Sequence, residues 1–274
     1  MLVFVPESAV RTGGRFDLVG AAGLSVALVC LLLGVSKASE LSGGTTAGLF
    51  VAAGVVLLLW GWWELRSSQP LVDLRTTARR QVLLTNVASV VFAFSMFAQS
   101  LVLPQILQLP ASTGHGLGQS LLVTGLVLVP SGLVMMAMAP VSARISNTRG
   151  PRATLMLGAV VVASGYGAGI FLMSAVWQLV VVSAMIGSGI GLAYGAMPAL
   201  IMVAVPASDT AAANSLNTLM RAIGTSVSSA VAGVVLTQVT MPFSFRLIMG
   251  LGAATALLAC AVAACIPRLS RRTP

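Results

Sequence analysis

The chain has 274 residues, 57% of them hydrophobic and only 8% charged, and its mean hydropathy is +1.00. An ordinary soluble domain carries about 25% charged residues, so water is excluded as the main solvent. The net charge of +9 comes from cations scattered singly or in pairs between apolar runs, without interleaved aromatics, which argues against a nucleic-acid partner.

Apolar runs of about 18 residues or more recur along the whole chain, each long enough to cross a bilayer core of about 30 Å. The alternation of apolar and polar residues that marks a membrane barrel strand is missing. The expected fold class is therefore all-α integral membrane, with about eight transmembrane helices. At the start, Met1 to Val5 is too short for the core of a signal peptide, and Pro6-Glu7 interrupts it. Spans are predicted at 16–36, 45–65, 81–107, 118–142, 153–175, 178–203, 211–236 and 246–266. The chain then divides into a segment 1–15, two helices within 16–66, a basic loop 67–80, six helices within 81–267 and a tail 268–274.

Short cytoplasmic loops retain Lys and Arg. One side of the predicted topology holds Arg11, Arg15, Arg66, Arg75, Arg79, Arg80, Arg144, Arg149, Arg152, Arg268, Arg271 and Arg272; the other holds only Lys37 and Arg246. That bias puts both termini, the basic loop and the tail in the cytoplasm. Trp60, Trp62, Trp63 and Trp177 fall near predicted helix ends, where interfacial aromatic rings are expected. Gly187, Gly191 and Gly195 recur every fourth residue, a spacing that lets two helix backbones approach. Pro130 and Pro198 fall inside predicted spans, where a missing amide donor can bend a helix. Cys30, Cys260 and Cys265 lie in apolar runs without metal-site or disulfide spacing. The membrane lipid is the first partner implied.

The most informative polar residues lie in the seventh span. Asn214, Asn217, Thr218, Arg221, Thr225 and Ser228 fall within an arc of roughly 100° at helical spacing. A charge at the depth of Arg221 costs at least about 2.5–3.5 kcal/mol on insertion scales. The stripe is either a pathway-lining or gating face, or a snorkelling arginine beside residues that bond neighbouring helices. All six carboxylates, Glu7, Asp17, Glu40, Glu64, Asp73 and Asp209, fall in loops or at helix ends, so no titratable carboxylate is placed at depth. His115 lies in an outer loop beside two glycines. Paired carboxylates, metal-ligand spacing and a nucleophile with a base are all missing, so neither an enzyme nor a cofactor or metal site is expected.

Several stretches carry a resemblance. Arg15-Phe16-Asp17, Trp62-Trp63-Glu64-Leu65-Arg66 with Pro70-Leu71-Val72-Asp73-Leu74, Leu103-Pro104 with Gln108, and Val205-Pro206 through Asn214-Ser215-Leu216-Asn217-Thr218-Leu219-Met220-Arg221 to Gly224 resemble the C-terminal portion of the fourteen-helix drug:proton antiporter branch of the major facilitator superfamily. Ala139-Pro140-Val141-Ser142-Ala143-Arg144 to Arg149-Gly150-Pro151-Arg152 resembles the superfamily's cytoplasmic loop motif. It departs from that motif at Asn147, where the family usually has aspartate, and at Thr148, where it often has arginine.

The resemblance implies that six of the helices form one half of a major facilitator fold and that the first two are the pair inserted between halves. Met1 to Val5 would be the end of an earlier helix. It implies a multi-pass plasma-membrane transporter of the multidrug-efflux type, proton-coupled in the complete family, acting on a small amphipathic substrate. Such a chain would need an N-terminal transporter half, or a second copy, to close against. A non-transporting remnant or assembly module is the alternative, and the departure at Asn147 points that way.

Overall fold

The computed structural model describes residues 17–37, 41–67, 78–113, 116–206, 209–238 and 243–267. Among them run eight α-helices: α1 (Leu18–Ser36), α2 (Gly43–Arg66), α3 (Arg80–Gln108), α4 (Leu121–Arg149), α5 (Pro151–Phe171), α6 (Val176–Met202), α7 (Thr210–Gln238) and α8 (Phe243–Ala264), with a 3-10 turn at Ala111–Thr113. The segment 1–15, the tail 268–274, most of the loop 67–80 and His115 lie outside the described residues.

Each predicted span has a helix, and the ends differ by a few residues. Six of the helices, α2, α3, α4, α5, α6 and α8, are long and apolar enough to cross a membrane. The apolar part of α1 runs over Leu18–Gly34. In α7 the polar stripe lowers the hydropathy, although its 29 residues would extend about 43 Å along the axis.

Side chains satisfy orphan amides at several helix starts. Asp17 Oδ1 accepts from the Gly20 amide at 2.8 Å and caps α1. Ser42 Oγ caps α2 and Ser120 Oγ caps α4, accepting from the Thr45 and Val123 amides at 3.3 and 3.4 Å. Ahead of α6, Gln178 Oε1 turns back to accept from the amides of Ser174 and Ala175, at 2.9 and 3.2 Å.

Helices α3 to α8 form one bundle and α1–α2 a hairpin that reaches it through α1 against α7. In the bundle α3 packs on α7 as α6 packs on α4, and α8 packs on α3 as α5 packs on α6. The pairs α5–α8 and α3–α6 follow, with smaller contacts in α4–α5, α7–α8, α6–α7 and α3–α4. Exchanging α3, α4 and α5 for α6, α7 and α8 leaves this pattern unchanged, which is the relation of two three-helix repeats inside one transporter half.

Small residues set these spacings, because lipid tails give apolar helices no hydrophobic reason to associate. A Cβ at Gly187, Gly191 or Gly195 would overlap Ser131, Met135 or Ser142, so all three glycines face α4. Gly158 and Gly189 meet backbone to backbone between α5 and α6, and a Cβ on either would overlap the other's carbonyl oxygen. Gly224 sits against the Val90 carbonyl of α3. The core around them includes Phe92, Leu155, Tyr166, Leu179, Ile186 and Met249, all buried. One flank of helix α4 stays open, with Leu121, Leu122, Leu126 and Leu133 exposed.

One feature of the sequence reading changes. The motif 139–152, expected as a loop, is nearly all helix: α4 continues through Pro140 to Arg149 and α5 begins at Pro151. Only Gly150 separates them, at φ +90°, a conformation that favours glycine, and a proline suits the first position of the helix that follows. Glu64 lies near the end of α2, as expected, and is buried there with 2% of its surface exposed.

Candidate solute-facing site

Helix α3 carries a buried polar ladder. Thr85 Oγ1 donates to the Gln81 carbonyl and Ser89 Oγ to the Thr85 carbonyl, both at 2.8 Å, and Gln81 Nε2 reaches the Leu200 carbonyl of α6 at 3.0 Å. Each hydroxyl satisfies itself on its own helix one turn back, which lets polar residues sit in an apolar span.

The stripe on α7 meets this ladder along one edge. Asn217, 2% exposed, donates through Nδ2 to Asn86 Oδ1 at 2.9 Å and to Ser89 Oγ at 2.7 Å. Ser228 Oγ donates to the Phe94 carbonyl at 2.6 Å. With Gly224 between them, these residues bind α7 to α3. Asn86 Nδ2 is buried without a hydrogen-bond partner among the described residues.

The other edge is open. Thr218 is exposed, and Asn214, Arg221 and Thr225 are partly exposed. Asn214 Nδ2 and Thr225 Oγ1 donate to carbonyls of their own helix, those of Thr210 and Ala222. Arg221 Nη2 donates to Thr218 Oγ1 at 3.1 Å, and its Cζ lies 4.4 Å from the centroid of the Tyr194 ring on α6. Tyr194 in turn packs against Phe92 of α3, with ring centroids 6.2 Å apart. The structure thus divides the stripe: Asn217 and Ser228 hold two helices together, while Arg221 stands where α3, α6 and α7 converge.

Depth follows from the helix rise. Arg221 lies about 16 Å along α7 from Thr210, and Tyr194 about 12 Å along α6 from Met202. Pro198 has no amide hydrogen to give the Tyr194 carbonyl, four residues earlier, so α6 lacks a ladder bond beside the ring. A cation over a partly exposed ring gains about 0.5–1 kcal/mol, less than the roughly 2.5–3.5 kcal/mol that a charge costs at mid-span. Among the described residues no carboxylate pairs with Arg221.

A second polar contact bridges α3, α4 and α5. The Tyr166 hydroxyl, fully buried, donates to the Ser95 carbonyl and accepts from the Gln99 amide at 3.2 Å. It sits between the two groups that one turn of α3 would otherwise bond to each other. Gln99 Nε2 reaches Ser131 Oγ of α4 at 3.2 Å.

The motif 144–152 lies at another place in the fold. Arg144 and Arg149 are exposed, and Thr148 bonds back to the Arg144 carbonyl. Arg152 donates to the carbonyl of Ala264, the last residue of α8, where a cation complements the helix dipole. Ser146 Oγ donates to Thr154 Oγ1 at 3.0 Å across the Gly150 joint. Asn147 sits on the last turn of α4 and is exposed.

Sequence reasoning passed over Gln81, Thr85, Asn86, Ser89, Gln99 and both tyrosines. The signal for α3 was present: Gln81, Thr85 and Ser89 recur every fourth residue in an apolar run, the same criterion that drew attention to α7.

Comparison with known proteins agrees with this architecture. The family profile of the Major Facilitator Superfamily matches residues 18–229 and, in a second placement, 85–274. The chain is 28% identical to the multidrug resistance protein Stp of Mycobacterium tuberculosis over 239 residues, covering 86% of this chain and 43% of Stp. It is 27% identical to the multidrug resistance protein B homolog of the same species, over 86% of this chain and 44% of that one. It is 28% identical to the putative multidrug resistance protein MdtD of Serratia proteamaculans, over 86% and 49% respectively. The chain therefore spans less than half the length of these relatives. With a profile match over most of its residues and a bundle of two related three-helix units, the chain belongs to the Major Facilitator Superfamily.

Proposed function

We propose that this chain supplies one half of a multidrug-efflux transporter and moves a small amphipathic solute by rocking against a second six-helix body. The observation that carries the reading is the open edge of α7: a partly exposed cation at mid-span, set over an aromatic ring where three helices converge. A side chain so costly to bury belongs on a wall facing a cavity or protein. The exposed flank of α4 suits a face that a further set of helices covers.

The second body is an N-terminal transporter half or a second copy of this chain. The similarity to proteins named for multidrug resistance supports a drug-like solute. Proton coupling would rest on groups outside this chain's spans, since its carboxylates stand at helix ends or in connecting segments. The excess of arginine on one side supports a plasma-membrane protein with both termini in the cytoplasm. In this reading Arg152 ties α5 to α8, while Arg144 and Arg149 face lipid phosphates.

The test is accumulation of a fluorescent drug in an efflux-deficient bacterial host. Co-expression of this chain with the first six helices of Stp should lower accumulation below that seen with either piece. Equal accumulation in all three cultures would favour a non-transporting remnant or assembly module, the reading that Asn147 supports in the cytoplasmic motif.

A further inference from the structure

We propose that the wall contributed by this chain takes the anionic end of an amphipathic solute, with the Arg221 guanidinium as its ion partner and the Tyr194 ring beside it. The inference rests on reading the open edge of α7 as a solute wall and adds the charge that this wall prefers.

The groups there have one sign. Arg221 uses one of its donors on Thr218, and a guanidinium has several more in a planar fork suited to a carboxylate. Asn214 commits one amide hydrogen and Thr225 its hydroxyl to carbonyls of their own helix, so the charged guanidinium is the strongest donor left. Carboxylates stand only at positions 7, 17, 40, 64, 73 and 209, outside the middle of any span. A cationic solute would find nothing at this depth to balance it, whereas an anionic one meets a cation already held against an aromatic face.

Depth favours a solute over a lipid headgroup. Arg221 is about 16 Å along α7 from Thr210, three turns in from the end of the helix that the arginine bias assigns to the cytoplasmic side. The partly exposed Tyr194 ring, backed by the buried Phe92, offers a flat apolar surface to the rest of such a molecule.

The experiment uses the purified full chain in phosphatidylcholine nanodiscs, with radiolabelled 2-naphthoate and its neutral counterpart 2-naphthamide. The expected result is binding of naphthoate at least tenfold tighter than naphthamide, a preference that R221Q reduces to less than twofold and R221K keeps in part. The comparison of the two compounds on the unaltered chain decides the matter even where R221Q fails to fold. Equal binding of both compounds, or an R221Q chain that keeps the tenfold preference, would overturn the proposal. Loss of naphthoate when phosphatidylglycerol is added would overturn it in favour of a lipid phosphate. Displacement of naphthoate by a co-purified N-terminal half would overturn it in favour of a carboxylate from that half. Binding of neither compound would count against the solute wall itself, which separates failure of the functional reading from failure of the charge preference.

Discussion

At the scale of single residues, the polar groups of the bundle differ in what they hold. Asn217 bonds two residues of another helix from a site sealed from lipid, whereas Asn214, three residues away, bonds only its own helix. Hydrogen bonds between membrane helices average about 0.6 kcal/mol and reach about 1.7. N217A should therefore lower stability to SDS unfolding by about 1–2 kcal/mol, because it also strands Asn86 and Ser89, while N214A should change it by less than about 0.5 kcal/mol. Equal effects would contradict the division of the stripe. Tyr166 makes a sharper case. Its hydroxyl serves both ends of one α3 link, so Y166F keeps the packing of the ring and removes both bonds. The same unfolding assay should show a loss of about 1–2 kcal/mol. The stripe on α7 was visible in the sequence because six polar residues share one arc. The division within it was not, since periodicity places residues on a face without saying which helix covers each edge. The burial of Glu64 was not legible for a similar reason: a position near a helix end says nothing about a neighbouring helix lying over it.

At the scale of helices, the two repeats solve one problem with different chemistry. The α4–α6 contact is made by glycine, with Gly187, Gly191 and Gly195 admitting the α4 backbone and Ser142 Oγ donating to the Leu192 carbonyl at 2.8 Å. The related α3–α7 contact uses Gly224 and adds Asn217 and Ser228. The contrast predicts where substitution is tolerated. G191L must push α4 away from α6 and should cost at least about 2 kcal/mol or prevent folding. G132A lies on α4, where a Cβ meets nothing, and should be neutral or slightly stabilising through helix propensity. Thermal denaturation in detergent checks the pair, and a mild G191L would argue against the close packing of α4 on α6. The helices themselves were legible, since each span is an apolar run of bilayer length. The extent of α4 was not. A bilayer-based reading stops near Ser142, but the helix runs on to Arg149 because only Gly150 breaks it.

At the scale of the molecule, the exchange of α3–α5 with α6–α8 is a relation among contacts, which the spacing of apolar runs does not display. What the sequence did display was the six-helix grouping, through motifs that resemble one superfamily. The structure adds two surfaces to that grouping: the flank of α4 carries exposed leucines, and the open edge of α7 holds an arginine whose described contacts are Thr218 and the Tyr194 ring. In the proposed reading such a half holds a solute and needs a second body to close over it. The direct test is export from liposomes that contain only the purified chain, under an imposed pH gradient, with a fluorescent amphiphile inside. The account predicts no gradient-dependent export by the chain alone, and export once the six N-terminal helices of a matched relative are joined to it. Gradient-driven export from liposomes holding this chain alone would contradict it.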